Sequence, residues 1–334
     1  MTLRSRHLKV LQFGKEVTPG TAVAADKLAP DLRGNIFFAG DPSQEYMASG
    51  YIFPNGLSSR AEWGAGPWTL PFCFNQSTYV YDSLYHIATP SGAGTAKTRT
   101  WTHAVASAGT RQFYTFQRGQ AGSRNQHAYG HFNSHSYTIQ KRGEVQQSGD
   151  MFAREGVPGT ALTATPTVVS SLIADNTQFI AQTATNWANL EAAPTTTTDI
   201  HNLAFQVGPM LSPAYFIGAT LRSFDAVGII VPNSTVTLVL PEDTSGSDLA
   251  GLLTLSAKRN GSPLYLRLKV AGPEVETGIN ALWQHDMVLK ALNVPTEQDI
   301  EEPFAGVSWP CKLFVDTTAQ KAHEIKIINN LAAT

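Results

Sequence analysis

Charge is the scarcest commodity in this chain. Asp, Glu, Lys and Arg make up 15% of its 334 residues, against roughly a quarter in ordinary soluble domains. The formal charge of −2 gives no broad attraction for nucleic acid or acidic membranes. A surface so poor in charge points to partners that cover it through shape and apolar area. Cysteine is nearly absent as well. Cys73 and Cys311 are far apart and in no metal spacing, which excludes a disulfide framework and fits a reducing compartment. No apolar run approaches the ~18 residues of a membrane span. The opening MTLRSRHLKVLQFGKE is basic but lacks the apolar stretch of a secretory signal. These absences predict a soluble protein made in the cytoplasm.

Catalytic signatures are missing too. In VLQFGKEVTPGTAVAADK (10–27), Lys15 follows the first glycine rather than the second, and Pro19 interrupts the segment. A phosphate-gripping loop needs the opposite order and a helix starting at the lysine. There is no Gly-x-Ser-x-Gly elbow and no His-Glu-x-x-His. The stretch HAYGHFNSH spaces His127, His131 and His135 by four, which on a helix would bring three imidazoles within reach of zinc. Gly130, Asn133 and the alternating SYTIQ that follows favour extended chain, where residues four apart are about 13 Å from one another. The histidines then read as polar residues on a strand face or at an interface. Glu297, Asp299, Glu301 and Glu302 in NVPTEQDIEEPF offer paired carboxylates for glycoside hydrolysis, although a solvated acidic loop is the commoner explanation. Trp63, Trp68 and Trp101 suit a sugar-stacking platform or ordinary core packing. No catalytic residue, metal ligand or cofactor is assigned.

What the chain does have is β grammar. Nineteen prolines and 27 glycines punctuate it, as in all-β proteins. LYLRLKV sets Leu264, Leu266, Leu268 and Val270 against Tyr265, Arg267 and Lys269, and TVTLVL aligns Val236, Leu238 and Leu240. KLFVD and HEIKII near the end read the same way, so these are expected to be half-buried antiparallel strands. Two segments have helical spacing instead: 77–89, through Val80, Leu84, Ile87 and Ala88, and 245–261, through Leu249, Leu252, Leu253 and Ala257. Ser247 suits the cap of the second, and Lys258, Arg259, Asn260 and Gly261 suit its end. Residues 68–92 and 236–261 align without gaps, Thr69 with Thr237 and Leu84 with Leu252, which suggests an internal duplication. Two unrelated segments of similar local grammar would read alike. The Gly/Pro/Thr-rich stretch 156–169 is the natural seam.

LQFGKEVTPGTAVAADKLAP (11–30) resembles the start of major tail tube proteins of long-tailed bacteriophages. So does the C-terminal grammar of LYLRLKVAGPEVETGINALWQHDMVLKALN followed by FAGVSWPCKLFVDTTAQKAHEIKIINNLAA. AREGVPGTALTA suits the close of a first tube domain, while 171–215 departs from the pattern. The resemblance implies a mainly β chain with two tandem antiparallel β-sandwich or barrel domains, each with a short flanking helix. On this reading residues 1–34 form an extended N-terminal assembly arm, 35–165 the first tube domain and 166–334 the second. Arg4, Arg6, Lys9, Phe13, Lys15, Glu16, Thr18 and Thr21 would contact a neighbouring ring. The implied role is a self-assembling subunit of the virion tail, put together in the host cytoplasm, with no enzymatic activity and no membrane. Rings of three chains with pseudo-six-fold symmetry, or alternatively of six chains, would stack into a tube. That tube would meet the tape measure and tail-end proteins and conduct double-stranded DNA without sequence-specific binding. Another β-rich virion component, such as a decoration or spike protein, and a carbohydrate-binding or carbohydrate-hydrolysing β-protein are the alternatives.

Overall fold

A computed structural model describes residues 10–40, 44–46, 56–58, 62–104, 109–120, 123–140, 145–175, 178–197, 200–216, 223–241, 263–292, 296–301 and 304–332. The protein is mainly β. The expected helix at 245–261 lies outside the described residues, as do Arg4, Arg6 and Lys9. The aligned pair of segments can therefore be compared only where they begin. Both begin on strands, Glu62–Pro71 and Asn233–Pro241.

Most of the strands run in one hydrogen-bonded system, from which two two-stranded sheets, Gln44–Tyr46 with Gly56–Ser58 and Leu211–Ala214 with Ala226–Ile229, are separate. From Glu62–Pro71 the ladder passes through Gln146–Arg154, His135–Gln140, Asn202–Gly208 and Asn233–Pro241 to Phe304–Leu313. It continues to Ile279–Ala291, which also pairs with Leu264–Glu276 and Lys321–Asn329. The last of these pairs with Lys97–Ala104. A second ladder joins Lys27–Leu28, Val10–Lys15, Tyr114–Gln120 and Ser123–Phe132. Ser123–Phe132 belongs to both ladders, because it switches partners after a register shift between His127 and Gly130. At the shift Tyr129 takes a φ of 55°. A Cβ on Gly130 would lie 2.4 Å from the Phe116 ring, so only glycine lets the two strands close up there.

The alternation in the sequence is reproduced with one difference. Val236, Leu238 and Leu240 face the core, as do His323, Ile325, Ile327 and Asn329. In Leu264–Glu276, however, the second face is covered as well. Arg267 makes a bidentate pair with Asp286 at 2.7 and 2.8 Å, and Tyr265 packs with Val288 against Trp187 and Leu190. These last two belong to helix α2 (Trp187–Ala192), whose cap Asn186 accepts from the Asn189 N–H at 2.7 Å. At the end of Phe304–Leu313 the strand stops before Phe314 and Val315, which are exposed.

Helix α1 (Gln76–Leu84) corrects the expectation of a flanking helix, since all nine of its residues are buried. Its polar side chains are answered individually, as burial requires. Asp82 accepts from Trp101 Nε1 at 2.9 Å and from the Ala88 N–H at 3.1 Å. Ser83 accepts from the Phe132 N–H, Ser77 from Gln147 Nε2 and Thr78 from Asn329 Nδ2. The helix ends by Tyr85, so Ile87 lies beyond it and is exposed.

Two features of the predicted organisation differ from the structure. Residues 10–16 are not part of an arm outside the fold: Val10–Lys15 is a strand paired on both sides, and Leu11, Gln12, Phe13 and Glu16 are buried. Nor do the halves divided at 165 fold as separate units. Pairings of His135–Gln140 with Asn202–Gly208 and of Lys97–Ala104 with Lys321–Asn329 cross that boundary. A single apolar core runs from Leu11 to Ile327. The physical reason is α1, which needs side chains from both halves to cover it.

Candidate assembly surface

Two surfaces stand out. The first is the outer face of the main ladder. Strand alternation sends Tyr137, Phe205 and Val236 into the core and their neighbours outward. Register then aligns Thr69, Ser148, Ser136, Gln206 and Thr235 across five strands. A parallel row carries Thr138, Ala204, Thr237 and Pro310. Ser136, Thr138, Gln146, Ser148, Ala204, Gln206, Thr235 and Thr237, with Tyr137 and Phe205 behind, line a hollow of about 520 Å³ without a charged side chain. The Ser136 and Ser148 hydroxyls lie 2.8 Å apart. The hollow exchanges hydrogen bonds with water and holds no charge, while exposed Arg33, paired with Thr69, and exposed Asp150, two residues beyond Ser148, mark the ends of this uncharged stretch.

The second surface projects from the first strand. The turn after Val10–Lys15 closes with the Thr21 N–H donating to Thr18 O at 3.0 Å, with Gly20 at a φ of 84°. Glu16 holds it from inside. Its carboxylate accepts from the N–H groups of Gly20 at 2.7 Å and Tyr129 at 2.9 Å, and from the Thr115 hydroxyl at 2.9 Å. Burial pushes the Glu16 pKa up despite those three donors. Val17 is left 95% exposed. Arg154 links this turn to a separate two-stranded ribbon, Leu211–Ala214 with Ala226–Ile229. It donates to Gly20 O at 3.4 Å, Phe224 O at 3.0 Å and Asp225 O at 2.8 Å, and stacks on Tyr129. The ribbon and its flanks expose Tyr215, Phe216, Ile229 and Val231, an apolar display that a monomer gains nothing from.

Of the residues predicted to contact a neighbouring ring, Thr18 and Thr21 are exposed on this turn. Phe13 is not available, because it packs edge-on against Tyr79 and Tyr114 at 5.1 and 5.5 Å. Glu16 acts within the chain. Lys15 is half-buried over the Tyr79 ring, with its pKa lowered by burial. The exposed Val17 and the ribbon were missed. Their signal lay in apolar residues beside turn formers, as in EVTPGT and AYF. Replacing Glu16 by Ala strips two buried N–H groups of their acceptor, so we expect a stability loss of about 2–4 kcal/mol, measured by chemical denaturation. A loss below ~1 kcal/mol would mean that water replaces the carboxylate and that the turn is not held by it.

The histidines are extended, as predicted, but none is on a surface: His127, His131 and His135 are all buried. His135 accepts from the Tyr85 hydroxyl at 3.1 Å through Nδ1 and donates from Nε2 to Gln147 Oε1 at 3.2 Å. Gln147 Oε1 also receives the Tyr81 hydroxyl, which in turn accepts from Trp283 Nε1. A second chain runs from the Tyr137 hydroxyl to His285 Nδ1 at 2.7 Å, and from His285 Nε2 to His323 Nδ1 at 3.0 Å. All these rings are held neutral by burial, which lowers the pKa of His131 and His135 to about 3 and that of His285 and His323 in the same direction. Among the described residues no group of three His, Cys, Asp or Glu side chains is placed to hold a metal ion. Glu297, Asp299 and Glu301 lie on a strand, Thr296–Glu301, hairpinned to Phe304–Leu313, and not in a loop. Trp68 and Trp101 are fully buried, which rules them out of a sugar platform, and Trp63 stacks on Phe152.

No protein-family model matches the chain, and no curated protein matches it in sequence.

Proposed function

We propose that this chain is a structural subunit of a phage-type tail tube, with the hydroxyl- and amide-rich sheet face toward the lumen. The observation that carries the reading is the uncharged row Thr69, Ser148, Ser136, Gln206 and Thr235. A conduit for DNA must not retain it, and every phosphate neutralised by a lysine or arginine adds affinity. A sheet face of neutral polar groups keeps water along the wall and gives the genome nothing to grip. The Val17–Thr21 turn and the ribbon then serve ring-to-ring contact, and the quoted resemblance of 11–30 and of the last seventy or so residues points the same way. DNA passes through without sequence-specific binding, and the tube ends meet tape measure and tail-end proteins.

Three chains per ring are expected if each chain brings two ring-forming units, although strand pairing and the core cross residue 165 and do not divide the chain into two separate halves. Such a chain makes half of the ring contacts intramolecular and removes part of the association cost. Electron cryomicroscopy of concentrated protein tests both points. Tubes of three-fold symmetry with Ser136, Gln206 and Thr235 on the inner wall are expected. Six equivalent chains would remove the tandem argument alone. The absence of tubes, or this face on the outside, would favour a decoration or spike protein.

A further inference from the structure

Among the described residues, the buried and half-buried guanidinium groups of Arg267, Arg154 and Arg99 each have hydrogen-bond partners, whereas that of Arg111 has none. Arg267 is paired with Asp286, Arg154 donates to three carbonyls, and Arg99 donates to Asn329 Oδ1 at 3.0 Å and Leu331 O at 2.7 Å. Arg111 is 9% exposed, yet its Nε and Nη1 are buried with no hydrogen-bond partner.

Its backbone is fixed. The neighbouring Thr110 O accepts from the Ile87 N–H at 2.8 Å, and the Gln112 N–H donates to Asp82 O at 3.0 Å. The groups that feel the Arg111 charge are Tyr85, His86, His103 and His131, and no carboxylate is among them. Asp82, whose charge acts on His86, is engaged by Trp101 and Ala88. Tyr85, His103 and His323 form an aromatic wall with centroids 5.3 to 6.4 Å apart. Both ring nitrogens of His131 and Nε2 of His323 are likewise buried without partners. Residues 105–108, Val-Ala-Ser-Ala, contain no acid.

A guanidinium with Nε and Nη1 buried and unpaired is costly to keep, and its fork matches the paired oxygens of a carboxylate or phosphate. We propose that Arg111, with His86 and His103 beside it, binds an oxyanion that the described residues do not supply. The oxyanion has two sources: free phosphate, or an Asp or Glu side chain of a second copy of this chain. The second source rests on the assembly reading above.

Thermal melts of dilute protein in sodium phosphate and in sodium chloride, at equal ionic strength and pH, separate the two when run with Arg111→Met. Methionine removes an unpaired buried charge while keeping much of the volume, so the variant is expected to fold and melt no lower than the parent in chloride. A free-phosphate site predicts a rise of about 2 °C at ten times Kd that Arg111→Met lacks. A carboxylate from a second copy predicts no phosphate shift, but at least a tenfold higher concentration for assembly of Arg111→Met by sedimentation. If the variant responds to phosphate as the parent does and assembles at the same concentration, the site is refuted. Should the parent never assemble, the tube reading falls, and the phosphate comparison alone upholds or refutes the site.

Discussion

Acidification from about pH 7.5 to about pH 5 should strip this protein of most of its stability, since each neutral imidazole buried below its ordinary pKa contributes about 1.4 kcal/mol per pH unit. The sign follows from where the protons go. In the folded chain His131 and His135 stay neutral down to about pH 3, and His285 and His323 are lowered in the same way, all through burial. In the unfolded chain the same rings take up protons below ~6.5. The unfolded state therefore binds more protons throughout the window between, and stability that is complete above ~6.5 is lost progressively as the pH falls. Four such rings lose up to ~5 kcal/mol per pH unit together, against a typical net stability of ~5–15 kcal/mol. Glu16 and Asp286 act in opposition, because burial raises both and the folded state gains their protons. They are two groups against four, and the histidines begin to act at higher pH. Urea titrations across this range would show the midpoint moving down with pH. A midpoint unchanged between neutrality and about pH 5 would mean that the imidazoles acquire protons inside the fold.

Arg267→Met should cost about 3–5 kcal/mol, the usual penalty for stranding one member of a buried ion pair. Asp286 is almost wholly buried and keeps a raised pKa even with Arg267 bound to both its oxygens. Without that guanidinium only the Gln284 amide still donates to it, at 3.0 Å. The carboxyl pKa, already raised by burial, would then rise further, so the deficit of the variant relative to the parent should shrink as the pH is lowered. Changing the pair together, Arg267→Met with Asp286→Leu, should recover most of the loss, because two apolar side chains fill the space without a desolvation cost. A single variant within ~1 kcal/mol of the parent at every pH would place this pair among weak surface ion pairs and contradict the burial argument.

How much of this was legible in the residues depended on whether the signal was local. Val236, Leu238 and Leu240, and Ile325 with Ile327, announced their faces through alternation alone. Val80 and Leu84 placed the start of α1 to within one residue, while Ile87 and Ala88 carried the expected end five residues too far. The covered second face of Leu264–Glu276 was not local, because the partner of Arg267 sits on the next strand and the lid over Tyr265 is a helix of six residues, too short to display a period. The histidines misled because imidazole reads as polar. Their burial depends on Tyr85, Gln147 and Tyr137, which only the folded chain brings to them. Leu11 and Phe13 did carry a strand signal, but the Gly- and Pro-rich stretch behind them drew the reading toward an arm. The row of uncharged side chains exists only through register, which no single segment encodes.

The complete burial of α1 also sets an order of events during synthesis. The helix is synthesised more than 200 residues ahead of its partners, since its Thr78 is met by Asn329 and its Tyr81 by Trp283. Lys97–Ala104, just after it, must wait for Lys321–Asn329 to supply its neighbouring strand. A nascent chain halted at mid-length therefore has no closed core to fall into. Such long-range pairing makes folding slow and leaves the early segments in need of protection until translation passes residue 329. If the chain assembles as proposed, the same delay is useful: no partial chain presents the finished sheet face, whose row runs on to Thr235, so nothing incomplete can be built into the growing structure.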